Sequence, residues 1–199
     1  MAGSDIRVQL ISDEVAADDD FIVTAASPNT SATLANTAFA SGGARLLGVT
    51  TTGTGDNAKT NTIVGTDVFG DTLTEVITST GSAEQVDGTK FFLTVTSITS
   101  SAQFAANLKV GSLASAAQAV FAGRARLKGY SIVSGGTAGV IEFVNGTPED
   151  GTVLFKARTI GTDNTTLDNT IPEDGILFEN GLSIKYTVGT IDMMNIFYA

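Results

Sequence analysis

Short runs in which apolar and polar residues alternate fill the chain, and most of them end at Gly, Asn, Asp or Thr. They begin with IRVQLI at residue 6 and continue through KFFLTVTSITS at residue 90, and a second series follows residue 123. Alternation with a period of two, bounded by turn residues, is typical of half-buried antiparallel strands. The pattern predicts an all-β protein made of two small antiparallel β-sandwich or barrel domains in tandem.

One segment between the two halves differs from the strands around it. GSLASAAQAVFAG, residues 111–123, is rich in alanine and has glycine at both ends, which suits either a short helix or a linker. The predicted organisation is therefore an N-terminal β domain at 1–111, which can begin with an N-terminal arm, a linker at 112–123 and a C-terminal β domain at 124–199.

The alternation also assigns residues to strand faces. In DTLTEVITST, Glu75 lies between Leu73 and Ile77 and so interrupts an apolar face. A continuous apolar stripe, expected in the core, is formed by Leu182, Ile184, Tyr186 and Val188. The last strand has apolar residues on both faces, with Met194, Ile196 and Tyr198 on one and Met193, Asn195 and Phe197 on the other.

The tetrapeptide PEDG occurs at residues 148–151 and again at 172–175, each time before an alternating apolar run. Proline cannot donate to a strand ladder, Glu-Asp suits the centre of a type I turn, and glycine then accepts the left-handed conformation. The alternative is a calcium site with oxygen ligands from Glu149, Asp150, Glu173 and Asp174. The sequence has neither EF-hand spacing nor calcium-binding repeats, so the pattern favours turns.

Three consecutive aspartates, Asp18, Asp19 and Asp20, raise the same question of a metal site. Successive residues of a strand point to opposite faces, so these carboxylates are not expected to converge on one ion. The run is predicted to be a solvated acidic loop. No metal and no other cofactor is predicted for the chain.

The net charge of the chain bears on which macromolecules it can bind. The 199-residue chain has a net charge of −10 with only 11 Lys and Arg residues. This argues against a nucleic-acid partner, because affinity for phosphates is built from clustered cations. Arg124, Arg126 and Lys128 form the only basic cluster, and their alternate spacing indicates one face of a strand.

The amino-acid composition also limits which catalytic groups and metal ligands the chain can supply. The chain contains no cysteine and no histidine, which excludes disulfides, thiolate nucleophiles, imidazole bases and nearly all zinc or copper sites. A carboxylate pair that hydrolyses glycosides stays open, but sugar clefts usually contain aromatic platforms, and the chain has no tryptophan and only 3 tyrosines. We therefore predict that the protein is not an enzyme. The N-terminal residues show no signal-peptide pattern, and no segment approaches the length of a membrane span.

The second half of the chain resembles a known group of proteins. The stretches RLKGYSIVSGGTAGVIEFVNGTPEDGTVLFKARTIG and NTIPEDGILFENGLSIKYTVGTIDMMNIFYA are similar to a small β module in virion structural proteins of tailed bacteriophages, particularly those of marine and cyanobacterial hosts. The resemblance covers nearly all of residues 124–199. In the first half, GTDVFGDTLTEVITSTG and FFLTVTSITSSA also resemble segments of phage structural proteins.

The resemblance implies a capsid decoration, or cement, protein. Such a protein would be a homotrimer on the outer surface of the capsid, bound to the major capsid protein and bridging neighbouring shell subunits. The alternatives are a tail, baseplate or head–tail adaptor component, and a carbohydrate-binding or host-attachment module. The absence of tryptophan favours assembly over sugar binding.

Candidate residues for contact with another subunit lie towards the two ends of the chain. Phe21 and Ile22 follow the aspartate run and are candidates for anchoring an N-terminal arm to the shell or to a sister subunit. Met193, Phe197 and Tyr198 belong to the terminal strand, and a strand with two apolar faces is unfavourable in water. The alternative for all five residues is a place in an ordinary domain core.

Overall fold

The computed structural model describes residues 5–27 and 29–199, which form antiparallel sheets. The predicted all-β fold is confirmed, since a 3₁₀ turn at Thr54–Asp56 is the only helical element among the described residues. The strands are β1 (Arg7–Ser12), β2 (Asp18–Ala26), β3 (Ala44–Thr51), β4 (Thr60–Thr66), β5 (Thr72–Thr78), β6 (Gln85–Phe92), β7 (Thr94–Ser100), β8 (Leu108–Phe121), β9 (Ala125–Ser134), β10 (Val140–Asn145), β11 (Thr152–Arg158), β12 (Thr165–Thr170), β13 (Ile176–Phe178), β14 (Leu182–Thr187) and β15 (Ile191–Tyr198).

The chain divides into two compact units whose limits differ from the predicted domains. Unit 1 contains the described residues up to Ala16 together with Ser115–Ala199, and unit 2 is Ala17–Ala114. The first strand joins the C-terminal half of the chain because β1 pairs with β15 over its whole length. Residues 1–4, where the predicted N-terminal arm would begin, lie outside the described residues.

The segment predicted as a linker or short helix at 112–123 is corrected by the structure, because residues 112–121 belong to β8. The first part of β8 pairs with β2 and its last part pairs with β14. Alanine favours helices by intrinsic propensity, yet Ala116 and Ala117 are fully buried in this strand. Pairing with neighbouring strands thus overrides the local preference of the alanines.

Unit 1 is a β-sandwich around one apolar core. One sheet has the strand order β1-β15-β9-β12, with β13 also paired to β9, and the other layer contains β10, β11, β14 and the end of β8. Rings from both layers meet in the core, since the ring centroid of Tyr130 lies 5.7 Å from that of Phe143 and 6.0 Å from that of Phe155. The predicted core stripe is confirmed, with Leu182, Ile184 and Tyr186 buried and Val188 packed against them.

Unit 2 has a core of its own. β4 is the central strand of a sheet with β5 and β7, while β3 pairs with β6 and β2 pairs with the first part of β8. The faces predicted for β5 are confirmed, because Glu75 and Ile77 are buried while the residues between and beside them are exposed. Fully buried side chains in this core include Ile22, Leu47, Ile63, Phe92 and Ile98.

The buried carboxylate of Glu75 is accommodated by residues of β6. Its Oε1 accepts hydrogen bonds from the backbone amide of Thr89 at 2.6 Å and from the Thr89 hydroxyl at 3.0 Å. Gly88 leaves room for the carboxylate, because a Cβ at this position would lie 2.6 Å from Oε2 of Glu75. A charged residue on an apolar strand face therefore links β5 to β6.

A second buried carboxylate fixes the 3₁₀ turn of unit 2. Oδ1 of Asp56 accepts hydrogen bonds from Lys59 Nζ and from the Ala105 amide, both at 2.7 Å, and Oδ2 accepts one from the Ala106 amide at 3.2 Å. Burial alone would raise the pKa of Asp56, but the hydrogen bonds from Lys59 and the two amides outweigh burial and lower this pKa. The ionised carboxylate joins the turn to the loop before β8.

Candidate contact surface

The unit 1 sheet that contains β1 and β15 packs one face on the core and exposes the other. In β15, Met194, Ile196 and Tyr198 are buried, whereas Met193 is 40% exposed and Phe197 is half-buried on the opposite face. The two faces predicted for this strand from the alternation are therefore confirmed.

Strand β1 and the residue before it, Ile6, extend the exposed face with three more apolar side chains. The register places Val8 opposite Phe197, and directly opposed residues lie on the same face of a sheet. Ile6 is 61% exposed, and Val8 and Leu10 are each 54% exposed. Together the residues Ile6, Val8, Leu10, Met193 and Phe197 are called the β1–β15 face below.

Among the described residues, the outer edge of β1 is open. β1 pairs with β15 on one side, and no strand of the described residues pairs with its other side. Its pairing with β15 has no bulge, and the strand contains neither proline nor lysine, which are common protective features of edge strands. An open, regular edge beside exposed apolar side chains is typical of a site where another β-strand adds.

The remaining predicted contact residues lie in the cores of their own units. Tyr198 belongs to the core of unit 1, with its ring centroid 5.6 Å from that of Phe121. Ile22 is fully buried in unit 2, and Phe21 is half-buried and stacked on Phe39 at 5.3 Å between ring centroids. Ile22 and Tyr198 have little or no exposed surface within their own units, which agrees with the alternative of a core position.

Both PEDG segments form turns, as predicted, but their backbones differ. In the second copy the Gly175 amide donates to the Pro172 carbonyl at 3.2 Å, and Gly175 has a left-handed φ of 75°. Glu173 has a φ of 56°, so this turn is not the predicted type I. In the first copy the Gly151 amide donates to the Thr147 carbonyl at 2.8 Å, and Gly151 lies outside the left-handed region.

The basic cluster holds the second PEDG turn in place. Arg126 Nη1 donates to the Asp174 carbonyl and Lys128 Nζ donates to the Glu173 carbonyl, each at 3.3 Å. Alternate positions on β9 put both cations on one face, as the spacing predicts. With Arg124 they border an open surface cavity of about 380 Å³ that Asp174 also lines. Arg126 and Lys128 therefore have structural partners within unit 1.

The aspartate run forms the start of β2, and its carboxylates converge. Carboxylate oxygens of Asp18, Asp19 and Asp20 all lie within 4.8 Å of one another, the only group of three or more acidic side chains so placed in the part of the chain that the structure describes. This corrects the expectations of a loop and of alternating faces, because the run belongs to β2 and the register between β2 and β8 breaks after Asp18. Asp19 also forms an ion pair with Lys109 at 3.0 Å.

Replacing Asp20 with Asn is expected to stabilise the protein slightly at neutral pH. A side-chain hydrogen bond with Asp18, burial and the neighbouring negative charges raise the pKa of Asp20. Since the folded-state pKa is raised, the charged form destabilises the fold above that pKa, and stability increases as the pH falls through it. The thermal midpoint of Asp20→Asn, measured by circular dichroism at pH 7 and low salt, should therefore exceed that of the unmodified chain.

High salt should reduce this difference, because it screens the repulsion among the three carboxylates. The exposed Asp71 lies outside the acidic group, so Asp71→Asn serves as the matched control. A midpoint for Asp20→Asn at or below that of the unmodified chain would show that the converged carboxylates do not repel one another in the folded protein.

Comparisons with known proteins do not place the chain in a family. No protein-family model matches it, and no curated protein is significantly similar to it in sequence. None of the described residues forms a helix with the length and apolar character needed to cross a membrane. A functional assignment therefore rests on the residues and geometry of the chain itself.

Proposed function

We propose that the chain is a non-enzymatic structural protein of a bacteriophage virion, a decoration protein that binds the major capsid protein on the outer surface of the capsid. The main supporting observation is the β1–β15 face, where exposed apolar side chains lie beside an open strand edge. Monomeric proteins rarely leave such surfaces and edges unprotected. The combination favours a protein that functions while bound to other subunits.

Three carboxylates that the fold encloses have structural partners, which supports a non-enzymatic role. Without histidine or cysteine, carboxylates and hydroxyls are the main groups left for catalysis. The buried carboxylates of Asp56 and Glu75 accept hydrogen bonds that fix a turn and link two strands. The Glu142 carboxylate pairs with Lys156 at 2.5 Å and Lys185 at 3.3 Å on neighbouring strands. These contacts stabilise the fold.

The proposed mechanism is mechanical reinforcement of the shell. Apolar surface buried between subunits contributes about 25 cal/mol per Å² before the costs of association, so subunits bridged by a third protein are harder to separate. The chain has no cysteine, so its stability does not depend on a disulfide. The homotrimer implied by the sequence resemblance is part of this proposal.

The proposal is tested by producing particles of the phage that encodes the chain, with and without the chain. Particles that lack it are expected to have complete heads that release their DNA at a lower temperature than normal particles. Adding the purified chain back should restore heat resistance. Heads without tails would instead support the tail or adaptor alternative. Particles of normal heat resistance that fail to attach to host cells would support the host-attachment alternative.

A further inference from the structure

The edge of β1 has the pattern of a strand that can pair with itself. Ile6, Val8 and Leu10 lie on the outer face and alternate with Arg7 and Gln9 on the other. An open strand edge binds an extended segment through backbone hydrogen bonds, and it selects segments whose alternate side chains match its own face. β1 itself is an extended segment with this alternation.

We propose that β1 pairs in antiparallel fashion with β1 of a second copy of the chain, about a two-fold axis at Val8. In this register Val8 lies opposite the partner copy's equivalent residue, Ile6 lies opposite Leu10, and Arg7 lies opposite Gln9. The exposed apolar side chains of β1 then meet apolar side chains only. A register centred on Arg7 would place two guanidinium groups directly opposite each other, which is unfavourable.

Strand β15 widens the apolar contact region. Met193 and Phe197 lie on the same outer face as Val8, one strand further into the sheet. Pairing at β1 would join two copies of the β1-β15-β9-β12 sheet into one continuous antiparallel sheet. The apolar outer surface would lie at its centre, while the edge strand β12, with the exposed residues Thr166 and Asp168, would stay at the periphery.

The distribution of charge also favours this location. With a net charge of −10, two copies repel each other over most of their surface. The stretch from Ile6 to Ser12 contains no acidic residue, and Arg7 is its only charged one. Pairing at β1 therefore joins the copies along a stretch without acidic side chains, which is flanked by Asp5 and Asp13. Salt should strengthen the association, because it screens the overall repulsion, whereas a contact built on ion pairs would weaken.

The inference goes beyond the proposed function, because pairing at β1 does not depend on what the assembled chain binds. A two-fold contact is isologous and joins copies in pairs. It therefore predicts an even number of copies in solution, either a dimer or two trimers joined across their β1 strands.

The two-fold axis allows a test by exchange of charge. Val8→Lys would place two ammonium groups opposite each other and Val8→Asp two carboxylates, so each variant should raise the dissociation constant of the pair by about tenfold or more. An equimolar mixture of the two variants should restore the assembly, because lysine then faces aspartate. The readout is molar mass from light scattering over a range of concentrations, with circular dichroism to verify folding.

Control variants separate this effect from a general effect of substitution. Val76 is 58% exposed on β5 of unit 2, so Val76→Lys is matched in residue type and exposure and should leave the mass unchanged. Val8→Thr keeps a β-branched side chain and should retain most of the assembly.

The outcomes distinguish this inference from the proposed function. A chain that is monomeric at all concentrations would overturn β1 pairing, as would an assembly whose mass both Val8 variants leave unchanged. Folded variants that each dissociate but do not associate when mixed would overturn the two-fold axis at Val8. In each of these cases the decoration role is tested separately, by the heat resistance of particles with and without the chain, although a monomer would also contradict the homotrimer of that proposal.

Discussion

Asp56→Ala should destabilise unit 2 by about 2–4 kcal/mol, because it removes a fully buried carboxylate whose partner, Lys59, is only partly buried. The substitution removes the acceptor of the Lys59 ammonium and of the amides of Ala105 and Ala106. Lys59 keeps a hydrogen bond to the Gln103 carbonyl at 2.6 Å, but its charge is no longer balanced. Hydrogen exchange measured by mass spectrometry should show faster exchange in β4, β5 and β7.

A matched control and a pH series sharpen this prediction. Asp71 is an exposed aspartate of the same unit, and Asp71→Ala should change stability by less than about 0.5 kcal/mol.

The contribution of Asp56 to stability should depend on pH. Because the folded state lowers the pKa of Asp56, this contribution is complete above the unfolded-state pKa and is lost as the pH falls through the folded-state pKa. Asp56→Asn should therefore lose less stability on acidification than the unmodified chain. Equal losses in the two proteins would contradict the ion-pair account.

Phe143→Ala should destabilise unit 1 by about 3–5 kcal/mol, as expected for an aromatic ring removed from a packed core. Phe143 is fully buried, and its ring centroid lies 5.7 Å from that of Tyr130 and 5.5 Å from that of Phe155. Denaturant unfolding followed by tyrosine fluorescence reports on this unit alone. The chain has no tryptophan, and its 3 tyrosines all lie in unit 1: Tyr130, Tyr186 and Tyr198.

The neighbouring strand provides the control for the core substitution. Leu154 lies on β11 next to Phe155 but is 42% exposed, so Leu154→Ala should cost much less than Phe143→Ala. If the two substitutions shifted the unfolding midpoint equally, the two layers of unit 1 would not meet at the Tyr130, Phe143 and Phe155 rings.

The strands were predictable from the sequence wherever the alternation was strong. The faces of β5, β14 and β15 follow directly from alternate residues, because a half-buried strand needs one apolar side. β8 was not predictable in this way. Its buried positions include Ala116 and Ala117, small residues that give no contrast with the serines around them. The pairing of β1 with β15 was not predictable either, because contacts between residues far apart in the sequence leave no local pattern.

The candidate contact surface was predictable only in part. Met193 and Phe197 were identified because β15 has apolar residues on both faces. β1 was not identified, because alternation alone would direct Ile6, Val8 and Leu10 towards the core. The structure places these three outward and buries Ile11 instead. A strand that exposes its more apolar face breaks the usual agreement between pattern and burial, and such local conflicts are expected at functional sites.

The convergence of the aspartate run was missed for a similar reason. Alternating faces require a regular strand, whereas the register between β2 and β8 shifts between Asp18 and Val23. The neighbouring glycine makes this close approach possible, since a Cβ at Gly111 would lie 2.0 Å from the Asp18 carbonyl oxygen. Irregularities of this kind depend on the partner strand and are not visible in the run itself.

The most direct test of the proposed decoration role is sedimentation of the purified chain with empty capsid shells made without it. The account predicts that the chain sediments with the shells and that binding saturates at a fixed number of copies per shell. Saturation should also raise the temperature at which the shells come apart. A chain that stays in the supernatant at all concentrations, with shells of unchanged heat resistance, would contradict a decoration role.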